Sequence, residues 1–309
     1  MTKNRARSIS LVFAFILVCG SLLFLIVVRV TAGASAPTVD TVTAAATSLG
    51  SESTFTLTEN TTTTLYVHGT ISDADGCEDV ASNGTVAAKF YRSNHASGSA
   101  CSADSNDCYT ILNGACAKSG CEGPEDNSFA YECTAAIQYF ADTTVTGTHT
   151  ATDWSATVTA TDSLGASASS TDTIEMNSTI SIAASPSSLS YGEIALGSQS
   201  AEQTITVTNT GNVGIDINVH VDGAFACTTG VLSSDTAHYS TAQGFSYEAG
   251  TALSTQVTEI EFNFAPRTDD ATPTTKNLYL LLQTPSTGAG GMCSNTLTVT
   301  STADTENGW

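Results

Sequence analysis

Residues 154–161, WSATVTAT, decide the fold class of this chain. Trp154, Ala156, Val158 and Ala160 alternate with Ser and Thr residues, and this period of two places the apolar side chains on one face of a β-strand. No segment after residue 36 keeps the 3.6-residue period of a helix. We therefore predict an all-β chain built from antiparallel sheets. The same alternation recurs at residues 64–71, 86–90, 131–137, 205–207, 215–221, 260–264, 278–282 and 297–299.

The spacing of the predicted strands divides the chain into two domains. About 270 residues follow residue 36, which is enough for two antiparallel β-sandwiches of roughly 130 residues each. The break falls at Asn177-Ser178, where one strand pattern ends and the next begins almost at once. We predict sandwiches at residues 37–177 and 178–303 and a C-terminal tail at residues 304–309. Because the linker is short, this arrangement suits a rod or stalk.

Residues 1–36 have the pattern of an export signal. Basic residues at positions 3, 5 and 7 precede the apolar run Leu11–Val28, and Ala34-Ser35-Ala36 is a small-residue cleavage site. We expect cleavage after Ala36 and a secreted or cell-surface protein. The alternative is an uncleaved anchor that holds the protein in a membrane through residues 9–30, because an apolar run of about 18 residues reaches the lower limit for a membrane span.

The charge of the remaining chain is strongly negative. Four of the nine basic residues lie in the N-terminal segment, so five remain against 30 acidic residues, a formal charge of −25. Such a surface repels polyanions, and the sequence has no basic patch that could release the counterions of a nucleic acid. We therefore expect no nucleic-acid partner. The acidity either keeps the protein soluble or attracts divalent cations.

The cysteines indicate an oxidising compartment. One of the nine, Cys19, lies in the apolar run, and the other eight show no C-x-x-C spacing of a zinc or redox site, so disulfides are expected. Six lie in the first half and two in the second, so each half can close its own set. For the six, fifteen connectivities are open. Our preferred pairs are Cys101–Cys108, Cys116–Cys121 and Cys77–Cys133, with Cys227 and Cys293 left for the second half.

Three short motifs resemble known modules. Tyr131-Glu132-Cys133 resembles the tyrosine corner of immunoglobulin-like domains, and SATVTATDSLGASAS (residues 155–169) resembles the closing strands of immunoglobulin-like repeats on microbial surface proteins. QTITVTNTGNVGIDINV (residues 203–219) resembles the NTGN-type, hydin-like immunoglobulin-like modules of secreted and envelope proteins. The resemblance implies tandem immunoglobulin-like sandwiches with a structural role outside the cell, and it implies no enzymatic activity.

The loop GTISDADGCEDV (residues 69–80) is a candidate metal site. Calcium takes about six to eight oxygen ligands, several of them carboxylates of one compact loop. The predicted ligands are Asp73, Asp75, Glu78 and Asp79, and Asp142 or Asp162 could add oxygens from neighbouring loops. The alternative is a plain turn, since Asp bonds to its own backbone and Gly accepts a positive φ.

The polar segment of residues 92–133 is too long for an ordinary connection. With four cysteines before its last residue, Cys133, it is either a recognition surface, with Tyr109 and Phe129 as contact aromatics, or a decorated loop held by disulfides.

No nucleophile elbow, zinc helix or phosphate-binding loop is present, and the five histidines show no ligand spacing. We therefore expect a non-catalytic structural or adhesion component whose partners are other surface proteins, itself or glycans. The alternatives are a carbohydrate-binding accessory protein and an extracellular hydrolase, for which the sequence offers no acidic pair to nominate.

Overall fold

The computed structural model describes residues 35–123, 125–270 and 273–307. The predicted export signal lies outside these residues except for Ser35 and Ala36. Within the described part of the chain, no helix has the length and apolar character needed to cross a bilayer.

The first half forms two facing sheets. A four-stranded sheet has the order β1-β3-β7-β6, and a five-stranded sheet has the order β2-β9-β8-β4-β5, antiparallel throughout except for β2 against β9. One helical turn, α1, separates β3 from β4. The elements are β1 (Thr38–Ala45), β2 (Thr54–Phe55), β3 (Thr62–Ser72), α1 (Glu78–Ala81), β4 (Thr85–Arg92), β5 (Cys108–Ile111), β6 (Cys116–Ser119), β7 (Ser128–Gln138), β8 (Trp154–Thr161) and β9 (Ser167–Met176).

The alternating residues of β8 account for much of the first core. Trp154, Ala156, Val158 and Ala160 are fully buried, whereas the threonines between them are partly exposed. The Trp154 ring stacks on Phe90 of β4 with centroids 4.7 Å apart. The period of two therefore gives the buried face that the sequence predicts.

The second half has its own core and three sheets. A five-stranded sheet (β10-β11-β18-β15-β16) and a three-stranded sheet (β17-β12-β20) enclose apolar residues such as Val207, Ile217 and Phe264, while β14-β13-β19 forms a separate small sheet. The strands are β10 (Ile182–Ser185), β11 (Gln203–Asn209), β12 (Ile215–Val221), β13 (Phe225–Thr229), β14 (Val231–Leu232), β15 (Ala237–Ser240), β16 (Thr251–Ala252), β17 (Thr258–Phe264), β18 (Thr275–Leu282), β19 (Gly290–Ser294) and β20 (Leu297–Ala303).

The predicted all-β class with two antiparallel sandwiches is confirmed. The domain boundary at residues 177 and 178 and the NTGN-type resemblance stay predictions.

Four disulfides join the eight cysteines, and two of the preferred pairs are wrong. Cys101–Cys108 and Cys227–Cys293 form as expected. Cys116 bonds to Cys133, because the two lie directly opposite each other where β6 pairs with β7. Cys77, in the turn before α1, bonds instead to Cys121, just after β6. The sequence did not predict the short strand β6, whose register sets the Cys116–Cys133 pair.

Tyr131 is not a tyrosine corner of the immunoglobulin type. In that motif the phenol bonds to backbone a few residues upstream. Here the Tyr131 hydroxyl donates to the carbonyl oxygen of Thr41 in β1, 90 residues away, at 2.9 Å. The resemblance of the YEC motif to a tyrosine corner is therefore corrected by this contact.

Candidate functional site

A cluster of carboxylates lies at one end of the first sandwich, directly after β3. Oxygen atoms of Asp73, Asp75 and Asp79 lie within 4.8 Å of one another. Asp73 is only 2% exposed, and its amide donates to the carbonyl of Asn127 at 2.8 Å, which continues the pairing of β3 with β7. Gly76 has a φ of 114°, so the turn that brings Asp79 back requires glycine at this position.

Asp162 reaches the same end of the sandwich from the opposite sheet. It follows β8 directly and is 4% exposed. Its Oδ1 accepts hydrogen bonds from the amides of Leu164 at 2.9 Å and Ala166 at 2.8 Å, which close the turn into β9. The sequence offered Asp162 only as one of two possible additional ligands, because nothing in the spacing shows that the ends of β3 and β8 meet.

The electrostatics of this carboxylate cluster are unfavourable. Burial raises the pKa of Asp73, and the charges of Asp75, Asp79 and Asp162 raise it further, while a hydrogen bond from the Asp75 amide lowers it. Among the described residues, no Lys, Arg or His forms an ion pair with any of the four carboxylates. The cluster therefore concentrates negative charge that the described side chains do not neutralise.

Two predicted ligands do not join this cluster. Glu78 lies on α1 with an exposed side chain and is not part of the group. Asp142 lies at the other end of the sandwich: β3 and β7 are antiparallel, so residues after Gln138 lie near Thr62 rather than Ser72. There, Asp142 is 2.9 Å from the Arg92 Nε.

Arg92 and Asp142 are the centre of a second group of polar side chains. No sequence pattern predicted this group. The Arg92 guanidinium lies 3.2 Å from Asp107 and 2.5 Å from the Nδ1 of His149. Burial lowers the pKa of His149. A neutral His149 that accepts a hydrogen bond from Arg92 at Nδ1 fits both observations. The group anchors the long segment 92–133 to the connection between β7 and β8.

The two predicted contact aromatics, Tyr109 and Phe129, both pack in the first sandwich. Phe129 is buried in the first core. Tyr109 packs 6.0 Å from Trp154, its hydroxyl contacts the carbonyl of Ser105, and it accepts a hydrogen bond from the Gln138 amide at 3.0 Å. Both aromatics therefore serve the fold, Phe129 from a buried position and Tyr109 from a half-buried one, and their role in recognition stays a prediction.

A polar junction joins the two sandwiches. Asn212 is 3% exposed, and its side-chain amide donates to the carbonyls of Ala141 at 3.1 Å and Asn177 at 3.0 Å. Its Oδ1 accepts from the Thr179 amide at 2.7 Å. We call this network, together with Arg267, the junction.

Arg267 completes the junction from the loop after β17. It donates to the Tyr139 hydroxyl at 2.9 Å, and its guanidinium lies 4.7 Å from the centroid of the Phe140 ring. Backbone contacts add to it, since the Asn60 amide donates to the Thr210 carbonyl at 3.1 Å. The TGN turn of residues 210–212, which belongs to the motif that carried the resemblance, is thus one of the parts of the second sandwich that touch the first.

A cleft of about 600 Å³ lies between the two sheets of the second sandwich. Burial raises the pKa of its Tyr191 to about 12. The described residues that line the cleft include no carboxylate, histidine, lysine or arginine, so they supply no acid–base pair for hydrolysis. Its apolar lining includes Leu189, Phe225, Leu280, Leu297 and Val299.

All five basic residues beyond the N-terminal segment contact other parts of the protein. The three lysines donate to main-chain carbonyls, and the two arginines hold the groups described above. The five residues are Lys89, Arg92, Lys118, Arg267 and Lys276.

No protein-family model matches the chain, and no curated protein sequence matches it. Among solved structures, the chain is similar to one from the CsuC-CsuE chaperone-tip adhesion subunit pre-assembly complex of archaic chaperone-usher Csu pili of Acinetobacter baumannii. The two are 12% identical over 81% of this chain and 96% of that one, with a TM-score of 0.36.

A second similar structure is a chaperone-tip adhesin complex of CFA/I fimbriae biogenesis, with 10% identity over 81% of this chain and 77% of that one and a TM-score of 0.30. A third is the secreted serine protease VesC from Vibrio cholerae, with 9% identity over 81% of this chain and 49% of that one and a TM-score of 0.19. At these values the likeness carries no argument about function.

Proposed function

We propose that the protein is an exported, non-catalytic structural or adhesive component of the cell surface. The observation that carries this proposal is the junction, which connects the two sandwiches through a buried and fully hydrogen-bonded asparagine. A buried side chain with each polar group paired favours one arrangement over others, because any shift leaves a donor or acceptor unpaired. A protein whose sandwiches keep one arrangement can transmit force along its length.

The disulfides and the charge support a location outside the cytoplasm. Disulfides form and persist in oxidising compartments, and four join the eight cysteines of the described chain. A formal charge of −25 after residue 36 keeps such a protein soluble and separate from anionic polymers.

The alternatives have less support in the described residues. A carbohydrate-binding accessory protein needs exposed aromatics, but Trp154 is fully buried and Tyr109 and Phe129 pack in the fold. An extracellular hydrolase needs an acid–base pair in a cleft, and the cleft of the second sandwich offers none among its described residues.

Cell-surface exposure and attachment test this proposal together. Cells producing the full chain are treated with external protease, and surfaces coated with the exported protein are tested for binding to the same cells and to each other. We expect cleavage from outside and attachment that falls in an Asn212→Ala/Arg267→Ala variant. Saturable glycan binding without attachment would support the carbohydrate alternative, and protection from the protease would contradict the proposed location.

A further inference from the structure

We propose that Asp73, Asp75, Asp79 and Asp162 bind a hard divalent cation of the calcium class, which links the two sheets of the first sandwich. This inference goes beyond the proposed function and does not depend on it. It concerns a site at one end of the first sandwich, whereas the junction involves the loop after β7 at the other end.

The observation that points to a ligand is a pair of buried, unpartnered oxygens. The Oδ2 atoms of Asp73 and Asp162 are both buried, and within the described part of the chain neither has a hydrogen-bond partner. A buried carboxylate oxygen without a partner is costly, because it has lost its hydration and gained nothing in return. The Asp73 oxygen belongs to the group within 4.8 Å, and Asp162 lies beside that group, because the hydroxyl of the next residue, Ser163, contacts Asp79. A cation bound between them would be the missing partner of both oxygens.

Turn formation accounts for only one of the two oxygens in the carboxylates of Asp73 and Asp162. In Asp73, Oδ1 accepts the Asp75 amide at 2.8 Å, and in Asp162, Oδ1 accepts the amides of Leu164 and Ala166. These bonds use the first oxygen of each side chain and leave the second one buried. A plain turn would place the second oxygen in water, as aspartates in surface turns do. The same loop can therefore be both a turn and a metal site, because Oδ1 of each aspartate accepts the hydrogen bonds of the turn and Oδ2 is left to bind the cation.

The chemistry of the donors selects the class of cation. All four groups are carboxylates, and the group within 4.8 Å includes no imidazole or thiolate. Oxygen-only ligands suit calcium and magnesium rather than zinc or copper. Calcium takes six to eight oxygens in flexible geometry, whereas magnesium demands a near-ideal octahedron and keeps several waters. Ligands from three separate segments fit the flexible geometry better.

The placement of the ligands gives the cation a mechanical effect. Asp73 follows β3 of the four-stranded sheet, and Asp162 follows β8 of the five-stranded sheet. Asp79 lies on α1, beside Cys77, whose disulfide to Cys121 fastens this turn to the end of β6. A cation among them therefore joins both sheets and α1 at one point.

The test measures thermal unfolding of the first sandwich alone. Trp154 is buried in that core, and Trp309 is the only other tryptophan, so a Trp309→Phe background makes fluorescence report on the first sandwich. The protein is produced from its full sequence and purified from the exported fraction. It is melted in chelator, in calcium and in magnesium at equal ionic strength.

We expect calcium at 100 times its Kd to raise the melting temperature by about 5–10 °C, with a smaller effect of magnesium. Asp73→Asn and Asp162→Asn should each abolish the calcium effect. In chelator, both variants should melt at the wild-type temperature or above it, because each substitution removes a negative charge from a cluster of carboxylates. The melt in chelator also shows whether each variant is folded. Glu78→Gln is the matched control, as it removes an adjacent carboxylate outside the cluster and should keep the full calcium effect.

The inference fails if calcium leaves the wild-type melt unchanged, or if the calcium effect persists in both asparagine variants. An equal effect of magnesium would overturn the calcium class. Where an asparagine variant does not fold, Asp79→Asn at the more exposed edge of the cluster replaces it, with the same expected loss.

Discussion

Gly69 lies opposite Tyr131 where β3 pairs with β7, and a Cβ atom at this position would come within 2.0 Å of the Thr41 carbonyl oxygen. The missing side chain lets β1 approach and leaves room for the Tyr131 phenol to reach that oxygen. The sequence predicted Tyr131 as a structural residue through its resemblance. It could not predict the acceptor, because the contact depends on a register shift between Val39 and Thr41 in β1.

Replacing Tyr131 by Phe should destabilise the first sandwich by about 1–3 kcal/mol, because the Thr41 carbonyl loses its side-chain donor inside the fold. Urea unfolding followed by Trp154 fluorescence measures the change. Tyr66→Phe, a half-buried tyrosine of β3, serves as the comparison and should cost less. Equal losses in both variants would show that the hydroxyl of Tyr131 contributes nothing specific.

His149 should make stability depend on pH. Burial lowers its pKa below the ordinary value of 6.5, the nearby Arg92 charge lowers it further, and Asp142 and Asp107 oppose the shift. Below pH 6.5 the unfolded chain therefore takes up this proton more readily than the folded protein does, and stability is lost as pH falls toward the folded pKa. His149→Gln should flatten this part of the curve. Chemical denaturation of both proteins from pH 8 to pH 5 gives the difference, and parallel curves would contradict it.

The sequence predicted most of the strands, but it did not predict which strands and loops lie next to each other. Alternation identifies strands such as β8 because each buries one face. The strand β6 has only four residues, CAKS, of which one is buried, so no period is visible in its sequence. Its pairing with β7 determines which cysteines meet, and the error in two disulfides follows from the missed strand. Likewise, Asp73, Asp75 and Asp79 were predictable from one loop, whereas Asp162 required knowing that β8 ends beside β3.

Two of the three disulfides of the first sandwich should differ in their contribution to stability. Cys77 and Cys121 are 44 residues apart, and Cys101 and Cys108 are 7 apart. On the chain-entropy model, replacing both cysteines by Ala costs about 4 kcal/mol for the first pair and about 2 kcal/mol for the second. Unfolding by guanidinium, again followed at Trp154, tests the order, which would be contradicted if the short pair cost more.

The relation between the two halves rests on contacts that span long distances in sequence. Asn212 is 71 residues from Ala141 and Arg267 is 128 residues from Tyr139, so no local pattern could predict these pairs. The sequence predicted a short linker near residue 177 and therefore limited hinge motion. The junction adds the physical cause, since Asn212 bonds to both Asn177 at the linker and Ala141 in the loop after β7.

Asn212→Ala should uncouple the two halves. The substitution leaves the Thr179 amide and two carbonyls without their side-chain partner, at a cost of about 1–3 kcal/mol. In calorimetry, we expect the two unfolding transitions of the variant to lie further apart in temperature than those of the unchanged protein. In small-angle scattering, we expect the variant to show a broader range of particle lengths. Asn218→Ala, on β12 and away from the junction, is the control and should leave both measurements unchanged.

The excess of acidic over basic residues after residue 36 has a consequence for solutions or layers in which copies of this protein are concentrated. With 30 acidic residues against five basic ones after residue 36, each molecule carries a large net negative charge, and this net charge adds a long-range repulsion between copies. The reach of that repulsion is set by the medium, from about 30 Å in 0.01 M salt to about 8 Å in 0.15 M salt. Concentrated copies should therefore lie closer together in brine than in fresh water.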